Sequence, residues 1–183
     1  MPTILRTQSS SSSGDARIVV VASKAMSIFV PKQGLVLDKM KTDGTDLHAL
    51  TRYGHSKLAN VMFARKLSEL YPAVTSVSLH PGTVKSEIWD KAQGIGWFIR
   101  GFLSGIALWY EGVTNEVGAK GQLWASVAKV GGAGNVENGK FYDPIGKENP
   151  LGKIAGNQAA VDELWKWTED ELKANGGPGW PKA

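Results

Sequence analysis

Apolar residues follow two rhythms along this chain. Arg17-Ile18-Val19-Val20-Val21-Ala22-Ser23 is a continuous β-branched run without alternation, the pattern of a strand buried on both faces of a parallel sheet. Val74-Thr75-Ser76-Val77-Ser78-Leu79 is a second β-rich run, closed by His80-Pro81-Gly82, and Lys140-Phe141-Tyr142 is a short third candidate. Between the first two, Leu58, Val61, Met62, Leu67 and Leu70 recur near helical spacing from Tyr53 to Tyr71, and Pro72 stops that helix. Thr114 is placed to cap a helix reaching Lys129. Asn157 is placed to cap another over 158–174, with Val161, Leu164, Trp165 and Leu172 on one face and Gly176-Gly177 at its end.

Polar stretches separate these elements. Residues 8–16 (Gln-Ser-Ser-Ser-Ser-Ser-Gly-Asp-Ala) read as a flexible loop, preceded by a short scrap from Pro2 to Arg6. Residues 31–52 read as a loop with short helical pieces, and 131–139 as a glycine- and asparagine-rich turn. Strand and helix alternate, which predicts a single α/β domain over 1–183 with about three parallel strands. So thin a sheet has two long edges to protect.

Composition removes several functions. The chain has no cysteine, which excludes disulfides, thiolate zinc sites and a cysteine nucleophile. A net charge of +4 is spread among mixed acids and bases, so no nucleic-acid face is expected. His48, His55 and His80 are too dispersed for a metal site. The apolar segment 94–112 contains Arg100 and several glycines; it reads as a lid over a substrate pocket, with contact at a membrane surface and a bilayer span as alternatives.

The candidate chemistry lies in Tyr53-Gly-His-Ser-Lys57. An i, i+4 spacing puts phenol and ammonium on one helical face. A phenol is a weak acid, with a free pKa of about 10, and a nearby cation favours its phenolate. Ser23 ends the preceding strand, where α/β sheets place their site residues, and its hydroxyl could hold a substrate oxygen while Tyr53 moves the proton. A Tyr-x-x-x-Lys match alone is also the pattern of a packing tyrosine and a solvated lysine; the strand ending in serine before it and the strand ending in Pro-Gly after it give it context.

Three motifs in order, Arg17-Ile-Val-Val-Val-Ala-Ser23, Tyr53-Gly-His-Ser-Lys-Leu-Ala-Asn60 and Leu79-His-Pro-Gly-Thr-Val-Lys-Ser86, resemble the short-chain dehydrogenase/reductase superfamily. The resemblance is to its retinol-dehydrogenase-like and fungal secondary-metabolism branches. It implies the C-terminal half of a Rossmann-type doubly wound parallel sheet and an oxidoreductase interconverting an alcohol and a ketone or aldehyde by hydride transfer. It assigns Tyr53 as general acid/base, Lys57 as the residue that assists it and holds the nicotinamide ribose, and Ser23 as the hydrogen-bond donor to the reacting oxygen. Pro81, Gly82, Val84 and Ser86 would border the nicotinamide. The cofactor would be NADP or NAD, with NADP favoured, and the substrate a small hydrophobic alcohol or carbonyl compound. A cytoplasmic location is expected, with membrane association and a homo-oligomer left open.

The chain departs from this pattern at its start. The strand, glycine-rich turn and helix that bind the pyrophosphate are not found, and Gly131-Gly132-Ala133-Gly134 and Gly94-Ile95-Gly96 lack the strand–turn–helix setting of a phosphate cradle. The rival expectation is therefore a truncated, catalytically inactive remnant. A serine hydrolase is disfavoured, since no Gly-x-Ser-x-Gly elbow is found.

Overall fold

The β-branched run from Arg17 does form a strand, and its place in the sheet organises the rest of the molecule. The computed structural model describes residues 1–84, 112–132 and 134–181. In chain order the elements are α1 (Pro2–Ser10), β1 (Arg17–Val21), α2 (Ala25–Ile28), a 3-10 turn at Leu37–Lys39, α3 (Ala49–Leu70) and β2 (Thr75–Leu79). They continue with α4 (Asn115–Val127), β3 (Phe141–Asp143), β4 (Lys147–Glu148), α5 (Gly152–Ala155) and α6 (Gln158–Ala174).

The sheet has the order β1-β2-β3-β4. β1 runs parallel to β2, from Arg17 opposite Thr75 to Val21 opposite Leu79, and β2 runs parallel to β3 through Ser78–Phe141 and Leu79–Tyr142. The expected three parallel strands are thus joined by a fourth, the two-residue β4, which turns back antiparallel on β3. The protein is an α/β protein built on a mostly parallel sheet.

Side chains alternate across the sheet, as the two-residue period of a strand requires. Phe141 enters a cluster with Met26, Leu58, Val61, Met62, Val161 and Leu164, formed with α2, α3 and α6. Its neighbour Tyr142 faces the other way, into a cluster with Val77, Leu79 and Ala125 against α4. Ile18 and Val19 divide in the same manner between the two sides. α3 and α6 therefore cover one face and α4 the other.

β2 is buried at all five positions, but β1 is not. Burial of β1 on both faces was expected; four of its residues are half-buried and Val21 is 39% exposed. The reason is position: among the described residues β1 pairs only with β2 and forms an edge of the sheet.

Two boundaries also differ from the sequence reading. α1 takes in residues 8–10 of the stretch read as loop, because Thr7 and Ser9 donate their hydroxyls to the carbonyls of Thr3 and Arg6 and so continue the turn. Met1, Ile4 and Leu5 anchor that helix on Leu67, Tyr71, Val74 and Trp165. α3 begins at Ala49 rather than Tyr53, because His48 Nδ1 accepts the Leu50 N–H at 3.3 Å and caps the helix earlier.

The two other long helices keep their predicted caps. Thr114 Oγ1 accepts from Val117 N at 3.4 Å, and Asn157 Oδ1 accepts from Ala159 N at 3.1 Å and Ala160 N at 3.4 Å. α6 ends as the sequence says, with Gly176 at φ +76° and Gly177 N donating to Leu172 O. Beyond it, Trp180 packs on Trp165 with ring centroids 4.8 Å apart, and the Tyr71 hydroxyl donates to Pro181 O at 2.6 Å.

Candidate active site

The C-terminal ends of β1, β2 and β3 lie side by side, and the chemistry-bearing residues gather there. Ala22 N donates to Leu79 O at 2.7 Å, which carries the β1–β2 ladder one residue past the strand. Ser23 follows and turns the chain into α2. Its carbonyl accepts from Met26 N at 3.2 Å and its Oγ accepts from Ala25 N at 3.2 Å. With that lone pair engaged, the hydroxyl hydrogen is left to donate to another oxygen.

α3 meets this turn from the side. Lys57 Nζ donates to Val21 O at 3.3 Å, and Asn60 Nδ2 donates to the same carbonyl at 3.4 Å. The ammonium also lies 5.6 Å from the centroid of the Tyr53 ring, which is 41% exposed. Gly54 makes the approach possible. A Cβ there would lie 3.1 Å from Ala25 O and 3.2 Å from the Phe29 Cβ, so a larger residue would force α2 and α3 apart. Tyr53 and Lys57 are thus brought to the segment that carries Ser23.

The loop after β2 supplies the facing side. His80 N donates to Tyr142 O at 2.8 Å, continuing the β2–β3 pairing to the strand end. Gly82 has φ +89°, a conformation that favours glycine, and turns the chain toward Val113. Val84 forms a parallel bridge with Val113, and Val113 N donates to Thr83 O at 2.9 Å. A Cβ on Gly118 of α4 would fall 2.5 Å from Val84 Cγ2, so this glycine is the seat of the Val84 side chain. Ser86 and the proposed lid 94–112, with the exception of residue 112, lie outside the described residues, as does Gly94-Ile95-Gly96.

The two histidines near the site are structural in setting. His55 is buried, with Nε2 lacking a hydrogen-bond partner among the described residues, and burial lowers its pKa below the ordinary 6.5. Burial lowers the pKa of His80 in the same way, opposed by the negative charge of Asp143 and reinforced by the positive charge of Lys24. Among the described residues no cluster of three His, Cys, Asp or Glu could hold a metal ion, and no helix is long and apolar enough to cross a membrane. Gly131 and Gly132 belong to a turn after α4, closed by Gly131 N donating to Val136 O, and not to a strand–turn–helix cradle.

Residues not singled out in the sequence complete the picture. Asn60 shares the Val21 carbonyl with Lys57, and its place one turn beyond Lys57 on the same helical face was the available signal. Lys24 pairs with Asp143 at 2.9 Å across the strand ends, and Asn149 Nδ2 donates to the same Asp143 Oδ2 at 2.9 Å. Asp143 directly follows the predicted third strand, where the same strand-end rule that marked Ser23 applies.

The chain was then compared with known proteins. No family model matches it. It is 26% identical over 172 residues to the short-chain dehydrogenase/reductase drtF of Aspergillus calidoustus, covering 87% of this chain and 51% of that protein. The sequence is similar to those of short-chain dehydrogenase/reductases. A second relative, an uncharacterized oxidoreductase of Schizosaccharomyces pombe, is 29% identical over 171 residues, covering 92% of this chain and 48% of its own length. A short chain dehydrogenase/reductase of Macrophomina phaseolina, dpmpH, is 29% identical over 140 residues. The fold has a solved counterpart in an uncharacterized protein from Mycobacterium Paratuberculosis, with a TM-score of 0.54 at 20% identity over 87% of this chain and 51% of that one. The chain thus spans about half the length of the first two relatives and of that solved structure.

Proposed function

We propose that this chain carries the proton-transfer end of a nicotinamide-dependent oxidoreductase that interconverts a hydrophobic alcohol and its ketone or aldehyde. The observation that carries the reading is the convergence of α3 on the Ser23 turn: Lys57 and Asn60 hold the carbonyl two residues before Ser23, and Gly54 presses on the residue two after it. In this reading Tyr53, half-exposed beside that turn, gives a proton to the carbonyl oxygen in reduction and takes it back in oxidation. Ser23 donates a hydrogen bond to the same oxygen and fixes it. Lys57 offers its remaining N–H groups to a ribose, and Pro81, Gly82, Val84 and Ser86 border the nicotinamide.

The cofactor, NADP in preference to NAD, would supply the hydride. The residues present fit its nicotinamide end, where the cation and the half-exposed phenol lie together.

The pyrophosphate end finds no such support: among the described residues no strand leads through a glycine-rich turn into a helix. This favours a second reading, a chain with the Tyr–Lys arrangement that does not turn over substrate. Calorimetric titration with NADH and NADPH bears on both. A few hydrogen bonds at about 1 kcal/mol net each leave this chain with a Kd weaker than about 1 mM; micromolar binding would reveal a cofactor site of another design and remove the second reading. Under saturating nicotinamide cofactor, Tyr53→Phe keeps the ring and loses the transferable proton, and turnover of an apolar ketone falls at least about 100-fold. Parent-like turnover in Tyr53→Phe would overturn the proposed function.

A further inference from the structure

We propose that Asp143 is a positioning residue for Ser23, acting through Lys24; this rests on the reading of Ser23 as the donor to the substrate oxygen. The Ser23 hydroxyl is held by one backbone N–H, from Ala25, donating to its Oγ, at the start of a helix only four residues long. That helix has no side-chain cap: its N-cap residue is Lys24, whose side chain points instead to the end of β3.

There the Lys24 ammonium meets Asp143 Oδ2 at 2.9 Å, and the Asp143 side chain is only 14% exposed. Asn149 Nδ2 holds the same oxygen from the far side of the β3–β4 hairpin at 2.9 Å, so the carboxylate is itself fixed before it receives Lys24. Asp143 Oδ1 is buried without a hydrogen-bond partner among the described residues, so Oδ2 carries the carboxylate's contacts with Lys24 and Asn149. His80, at the end of the intervening strand, does not compete, since burial favours its neutral form. The pair therefore ties the residue after Ser23 across β2 to the β3–β4 hairpin. The Lys24 side chain is 46% exposed and the Asp143 side chain 14%, so what the pair supplies is a fixed direction for Lys24 from a carboxylate held in place.

The test is amide hydrogen exchange by NMR on the full chain. Losing a hydrogen-bonded charge pair beside the turn accelerates exchange at Ala25 N–H about tenfold in Asp143→Ala, with Val77 in the buried strand unchanged. Lys140→Ala, which removes the other ion pair of this hairpin (Lys140–Glu148, 2.8 Å), leaves Ala25 as in the parent. Should Asp143→Ala fail to fold, Asp143→Asn keeps the shape, removes the charge and shifts Ala25 in the same direction.

Unchanged Ala25 exchange in these variants would overturn the proposal. In turnover, the same Asp143 variant lowers kcat while KM stays within about twofold, because an interaction made in the transition state has been loosened; faster Ala25 exchange with unaltered kcat would also overturn it. Tyr53→Phe separates the two readings, since retained turnover there removes the proposed function whether or not the Ala25 amide responds to Asp143.

Discussion

Gly54, His55 and His80 sit within or beside the candidate site, and each answers a packing demand. Gly54 gives α2 the room to reach α3, and the two imidazoles fill space without full hydrogen bonding. Their burial has a consequence in pH. Both pKa values are lowered from 6.5, so between pH 6.5 and the folded-state values the unfolded chain binds more protons than the folded one. Stability therefore falls as pH drops through and below 6.5, ahead of the acid range in which paired carboxylates such as Asp162 and Asp15 become protonated. Urea denaturation at about pH 7.5 and about pH 5.5 checks this. The midpoint is expected to fall at the lower pH, by less in His55→Gln; a midpoint that rises would contradict the burial of both rings.

At the scale of the element, caps decide where helices start. Asn157 Oδ1 accepts two N–H groups of α6. Asn157→Ala should cost about 1 kcal/mol and lower Tm by about 2–4 °C, measured by thermal melting followed by circular dichroism. This cap, the Thr114 cap and the Gly176-Gly177 stop were legible because each uses local chemistry that the sequence spells out. So were β1, β2 and β3, and the turn from helix to strand at Pro72. The start of α3 was not, because a histidine cap is an uncommon signal. Serine in α1 misled for a similar reason: its preference for turns gave way to side-chain bonds back to the helix and to the packing of Ile4 and Leu5. Of the candidate site, Ser23, Tyr53 and Lys57 were singled out by motif and strand end. Lys24 and Asp143 lie 119 residues apart and meet only because β3 adds beside β2, a fact of topology rather than spacing.

For the whole molecule, the edge at β1 matters most. Its Ile-Val-Val-Val stretch has no proline and no lysine to blunt the side that is unpaired among the described residues, and β-branched edges of this kind pair readily with other chains. Sedimentation velocity over a range of concentrations should show association of the isolated chain, reduced by Val21→Lys at the exposed end of the strand. A monomer at every concentration would mean the edge is covered.

Met1, Ile4 and Leu5 near one end of the chain and Trp180 near the other rest on one cluster with Tyr71 and Trp165, while Tyr71 also holds Pro181. The helix before β1 and the segment after α6 are thus wedged against one aromatic patch, and loosening either is felt by the other.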